Sequence, residues 1–171
     1  MKLSYPIFAT VFGAVLFLAG ACSSSSETDF SVDYEKFTLD NGLEVIFHKD
    51  DSDPVTAVAL TFHVGSAREL PGRTGFAHLF EHMMFRGTEN YSQEEYKEIL
   101  KNAGADQNAY TTDDYTNYHV NFTKDDLETI LMLEADRFQN LSYSEDVFRT
   151  EALAVKGEYL KNYSNPIQKA L

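Results

Sequence analysis

His78-Leu79-Phe80-Glu81-His82 places two imidazoles and a carboxylate within five residues. On an α-helix, at about 100° per residue, His82 lies about 40° from His78 and Glu81 about 60° to the other side. Both imidazoles can therefore reach one metal ion from one helix face, with a carboxylate beside it. The order H-x-x-E-H mirrors the more familiar H-E-x-x-H zinc motif. Hydrolytic zinc takes three protein ligands and one water, so two histidines leave the set one short. Glu151 and Glu158 lie seven residues apart, about 700° of helical rotation, so their carboxylates differ by only about 20°. Glu158 could complete a His-His-Glu site while Glu151 hydrogen-bonds a ligand imidazole from behind. Zinc lowers the pKa of its water from about 15.7 toward about 7. Glu81 is placed to remove that proton as general base and hand it to a leaving amine. These residue types point to peptide-bond hydrolysis.

Such a site needs two helices and a scaffold that brings them together. The stretch Thr74 to Phe85 reads as the helix carrying the histidines, with Gly87 ending it. Ser144 caps a last helix reaching about Asn162, with Glu145 and Asp146 at the positive end of its dipole. Between them, Ser92-Gln93-Glu94-Glu95 is a capping box opening a helix that stops at Gly104. Lys124 to Phe138 reads as an amphipathic helix with Leu127, Ile130, Leu131 and Leu133 in its apolar positions. Val55 to Val64 is a strand, and two more run near Asn108 to Thr112 and Tyr115 to Phe122 around the turn Asp113-Asp114. In the last, Tyr118, Val120 and Phe122 share one face. Asn41-Gly42 marks a tight hairpin turn between Phe37-Thr38-Leu39 and the run Leu43 to Phe47. The class is α+β, a mainly antiparallel sheet with helices packed on it. His48, His63 and His119 all fall on strands and read as surface or hydrogen-bonded histidines, with His63 the one closest to the expected site. Phe80, Phe85, Tyr91 and Tyr96 read as packing.

Composition bounds the partners. The chain has 171 residues, 43% of them hydrophobic, and a net charge of −13, enough for one globular domain. The acidic balance argues against nucleic acid and against polybasic docking on anionic lipid. One cysteine, Cys22, excludes an intrachain disulfide and a cysteine-cluster metal site. Residues 1–21 carry one charge, Lys2, before an apolar stretch too short to span a bilayer, and read as a secretory signal peptide. Leu18-Ala19-Gly20-Ala21-Cys22 resembles a bacterial lipobox, which makes Cys22 the expected lipid attachment point. Residues 22–33 then form a Ser-rich tether, and residues 34–171 the folded region. The expected location is the bacterial cell envelope, lipid-anchored on the periplasmic side or in the outer membrane.

Four stretches together resemble the insulinase/pitrilysin (inverzincin) metallopeptidase family: Thr38 to Leu43, Val64 to Glu69, Gly75 to Thr88 and Asn108 to Thr111. They stand in the family's order, and the resemblance covers essentially everything from Tyr34 onward. It implies the first half-domain of the insulinase/mitochondrial processing peptidase-like metallohydrolase fold. It implies zinc held by His78, His82 and Glu158, Glu81 as general base, and Glu151 as an essential supporting carboxylate. It also implies that Asn108, Ala109 and Tyr110 lie on an edge strand where a peptide substrate adds as a further strand. Family members resemble clamshells of paired domains, so a second homologous domain or subunit is the expected partner. The chain stops at Lys169-Ala170-Leu171, soon after the metal helix and Pro166, and reads as C-terminally truncated. Alone it is expected to bind zinc weakly and cleave little, and an inactive fragment is one alternative. Another is a non-catalytic partner subunit, although such subunits tend to lose the metal residues kept here. A third, a metal-dependent lyase with H-x-x-E-H, needs a cysteine ligand, and Cys22 precedes the folded region.

Overall fold

The computed structural model describes residues 31–164. The proposed signal peptide, Cys22, Pro166 and Lys169 to Leu171 lie outside the described residues. The chain divides into two compact units, the first ending at Asp50 and the second beginning at Asp51.

The first unit contains a hairpin of β1 (Glu35–Thr38) and β2 (Glu44–Phe47), paired antiparallel from Glu35↔Phe47 to Thr38↔Glu44. Its turn differs from the expected two-residue form. That form needs positive φ at both central residues, and only Gly42 has it, at φ 86. Leu39 N–H instead donates to Leu43 C=O (2.9 Å) and Gly42 N–H to Leu39 C=O (2.8 Å). The result is a three-residue loop with glycine at its left-handed position, which spares Asn41 that conformation.

The second unit carries the helices. Its sheet consists of β3 (Val55–Phe62), β4 (Asp106–Thr111) and β5 (Thr116–Thr123), in the order β3-β5-β4 with both pairings antiparallel. Among the described residues four α-helices accompany it: α1 (Phe76–Met83), α2 (Gln93–Asn102), α3 (Leu127–Gln139) and α4 (Glu145–Tyr163). The α+β class and the antiparallel sheet match the sequence expectation.

Period-2 alternation on β5 is realised: Tyr118, Val120 and Phe122 are buried. Val120 and Phe122 join Tyr96, Leu100 and Ala103 from the α2 region and Ile130 and Leu133 of α3 in one apolar core. Ser92 caps α2 as expected, accepting from Glu95 N–H while the Glu95 carboxylate accepts from Ser92 N–H. That backbone hydrogen bond, with a second from the Ser92 side chain, holds the Glu95 carboxyl below its usual pKa.

The face of α3 departs from the expectation. Ile130 and Leu133 are buried, whereas Leu127 and Leu131 are 41% and 47% exposed. The buried stripe runs Ile130, Leu133, Glu134, Arg137, spaced i, i+3, i+4 and i+7. It turns through two charged residues because they pair with each other, which hydropathy alone does not reveal. Tyr96 Oη donates to Glu134 (2.8 Å) and Gln107 donates to Tyr96 Oη (2.8 Å), extending the pair into a buried network. Phe80 also departs from the expected packing role, at 50% exposed.

Among the described glycines, Gly65 approaches other backbone most closely. A Cβ there would collide with the backbone carbonyls of Thr112 and Asp113. Its φ of −166° is ordinary extended backbone, so the requirement is steric. The close fit lets Ala67 N–H donate to Asp113 C=O at 2.9 Å, tying the segment before α1 to the β4–β5 turn.

Candidate metal centre

α1 begins under a cap that its own sequence does not supply. The Glu69 carboxylate reaches forward to accept from Gly75 N–H (2.5 Å) and Ala77 N–H (2.6 Å). These are among the N–H groups that a helix leaves unpaired, at the positive end of its dipole. The helix runs Phe76–Met83, two residues shorter at each end than the Thr74 to Phe85 expected. The i, i+4 spacing then sets His78 and His82 side by side, with Nε2 atoms 3.2 Å apart.

α4 supplies the carboxylates. Glu158 Oε2 lies 3.5 Å from His78 Nε2 and 3.8 Å from His82 Nε2. Glu151, 5% exposed, lies about two turns earlier on the same face of α4, with Oε2 3.3 Å from His82 Nδ1. One ligand atom from each of His78, His82 and Glu158 can therefore fall within 4.8 Å of the others.

This donor set fits a zinc ion. Ligand bonds of about 2.0–2.1 Å at tetrahedral angles put neighbouring donor atoms about 3.3 Å apart, close to the 3.2, 3.5 and 3.8 Å found here. The tautomer follows from the hydrogen bond: with Nδ1–H of His82 donating to Glu151, its Nε2 presents a lone pair. That lone pair, the Nε2 of His78 and a carboxylate oxygen of Glu158 converge, an arrangement suited to a cation.

Glu81 is on the same helix but buried, at 8% exposed, and its Oε2 accepts a hydrogen bond from the hydroxyl of Thr111 on β4. Beside it, burial pushes the Tyr118 phenol up to about 12 against the opposing pull of Arg137, with Glu81 and Glu134 raising it further. Tyr118 therefore stays neutral and adds no charge near Glu81. A cleft of about 710 Å³ opens beside His78 and Glu158, lined also by Phe76, Val155 and Tyr159.

Asn108, Ala109 and Tyr110 lie mid-way along β4, which pairs with β5 on one side and with no other named strand among the described residues. The remaining histidines are not among the three residues whose ligand atoms converge. His48 contacts Asp33 C=O, His63 contacts Arg68, and His119 contacts Asn117.

Three residues at the centre escaped the sequence reading. Arg86 Nη2 donates to Glu151 Oε2 at 2.9 Å and its Nε lies 2.9 Å from Oε1, countering the buried carboxylate's charge. Thr111 and Glu69 are the other two. Arg86 lies past the end of α1, so helical spacing from His82 does not place it. Nothing local links Thr111 to Glu81 or Glu69 to Ala77.

Comparison with known proteins adds an independent line. The chain matches the family model of insulinase (peptidase family M16) over residues 44–171. It is 33% identical to human insulin-degrading enzyme over 134 residues, which is 78% of this chain and 13% of that protein. It is 34% identical to the zinc protease PqqE of Helicobacter pylori over 126 residues, 73% of this chain and 28% of that one. The crystal structure of a protease from Helicobacter pylori superposes with a TM-score of 0.77 at 32% identity, covering 82% of this chain and 34% of that chain. The chain thus spans about an eighth to a third of the length of these relatives.

Proposed function

This chain belongs to the insulinase family of peptidases, and we propose that it works as a zinc-dependent endopeptidase on short or unfolded polypeptides. The convergence of His78, His82 and Glu158 within 4.8 Å carries the reading. Those three residues hold the metal, and Glu151 holds His82 in the tautomer that leaves Nε2 free. Zinc, when bound, supplies Lewis acidity that polarises a carbonyl oxygen and acidifies water. Glu81 takes the proton from the attacking water and returns it to the departing amine. Asn108, Ala109 and Tyr110 offer an extended peptide the open backbone edge of β4, a mode that binds with little regard to side chains. A second homologous domain or subunit completes the substrate chamber.

The test is a quenched-fluorescent unstructured peptide incubated with the full-length gene product. Cleavage is expected to stop on chelation and return with stoichiometric zinc. Cleavage that survives complete metal removal would sink the reading. Glu151→Gln is expected to weaken zinc binding by roughly 10- to 100-fold, since it removes the anionic acceptor behind His82. Chelator competition measures this, and an unchanged affinity would deny Glu151 the role.

For location, the reading rests on the sequence of residues 1–26. No helix among the described residues is long and apolar enough to cross a membrane. Lipid on Cys22 is proposed as the anchor to the cell envelope. Cys22→Ser is expected to move the protein from the membrane to the soluble fraction, and retention in the membrane would refute the anchor.

A further inference from the structure

We infer that Thr111 is the positioning residue for the general base: its hydroxyl holds the Glu81 carboxylate in the orientation that proton transfer needs. This inference rests on the endopeptidase reading above and extends it to a residue on another element.

Glu81 leaves α1 on a three-torsion side chain whose last torsion, χ3, is broad and weakly restrained. The helix therefore fixes where the side chain starts but not the plane of its carboxylate. Thr111, the last residue of β4, donates its hydroxyl proton to Glu81 Oε2. An ionised carboxylate can only accept, so the direction of that bond is set. That bond fixes the plane of the carboxylate from which a proton is taken and returned.

The hydroxyl is itself held firmly. Threonine is β-branched and stiff at χ1. Thr111 sits opposite Thr116 in the β4–β5 register, and Thr112 N–H donates to Tyr115 C=O at 2.9 Å to close the turn immediately beyond. Thr116, 4% exposed, donates to Val64 C=O at 2.9 Å, and its Oγ1 lies 3.3 Å from Thr111 Oγ1. The strand end, the register partner and the turn thus hold the Thr111 backbone from which the hydroxyl reaches Glu81.

The experiment measures kcat, KM, zinc content and the urea midpoint of the metal-free protein for full-length Thr111→Val, Thr111→Ser, Glu81→Gln and the Thr111→Val/Glu81→Gln pair. Thr111→Val is expected to lower kcat about 10-fold or more, with KM and zinc content unchanged. Thr111→Ser, which keeps the hydroxyl, is expected to recover most of the kcat. In the Glu81→Gln background Thr111→Val is expected to cause no further fall. The metal-free urea midpoint is expected to drop in Thr111→Val and recover in Thr111→Ser, a readout independent of activity. Should Thr111→Val fail to fold, Thr111→Ala carries the same comparison. Full kcat in the hydroxyl-free variant, a change confined to KM, or equal loss in Thr111→Ser would overturn the assignment. Glu81→Gln hydrolysing at the wild-type rate would exclude Glu81 as the base and overturn this inference, whereas a zinc-loaded wild-type protein that cleaves no peptide would overturn the endopeptidase reading itself.

Discussion

Peptide hydrolysis by the full-length protein is expected to fall by roughly 10²- to 10⁴-fold in Glu81→Gln, the range a positioned general acid–base contributes, while zinc content stays the same. The substitution is nearly isosteric, and the amide oxygen can still accept from Thr111. The buried surroundings of Glu81 and the packing of α1 are therefore expected to survive. What is lost is the capacity to bind and release a proton. Glutamine cannot take one from water or return one to the leaving amine. Glu81 is not among the residues whose ligand atoms converge, which are His78, His82 and Glu158, so zinc binding is expected to be untouched. Kinetics on an unstructured peptide, with zinc by atomic absorption on the same sample, separates the outcomes. Undiminished cleavage would exclude Glu81 as the base, and loss of zinc would mean that it helps to hold the metal.

The second large effect is on stability. Arg137→Leu is expected to destabilise the protein by about 3–5 kcal/mol, because it strands a buried carboxylate. Arg137 and Glu134 have side chains only 1% and 3% exposed, and they pair within one turn of α3. The guanidinium carbon lies 4.9 Å from the ring centre of Tyr118, 5.3 Å from Phe85, 5.4 Å from Phe138 and 6.0 Å from Tyr96. Its Nε and Nη1 have no hydrogen-bond partner among the described residues, and the surrounding ring faces offer electrostatic compensation instead. Without Arg137, Glu134 keeps only neutral partners, Tyr96 and Gln107. The expected loss is a large share of the about 5–15 kcal/mol by which domains are normally stable. Replacing Glu134 and Arg137 together by methionine is expected to recover much of it, since no unpaired charge then remains. Urea denaturation decides the matter: a single Arg137→Leu variant within about 1 kcal/mol of wild type would show that the pair carries little.

This buried pair also marks the limit of sequence patterning in α3. A hydropathy reading places Leu127, Ile130, Leu131 and Leu133 on the buried side. Charge pairing instead brings Glu134 and Arg137 inside, and Leu127 and Leu131 face outward. On β5 no such competition exists, and the alternation of Tyr118, Val120 and Phe122 translates directly into burial.

The sequence by itself determined the features that depend on short spacing. H-x-x-E-H puts two imidazoles on one helix face because helical periodicity is local, and the seven-residue step from Glu151 to Glu158 aligns two carboxylates for the same reason. The Ser92–Glu95 cap and the antiparallel strands are legible on the same terms. Only the tertiary structure decided which distant groups meet: Glu151 behind His82, Arg86 against Glu151 and Thr111 on Glu81. Each of those contacts depends on how α1 lies against α4 and β4. That placement is set by burial summed over many residues, and no short window of sequence contains it.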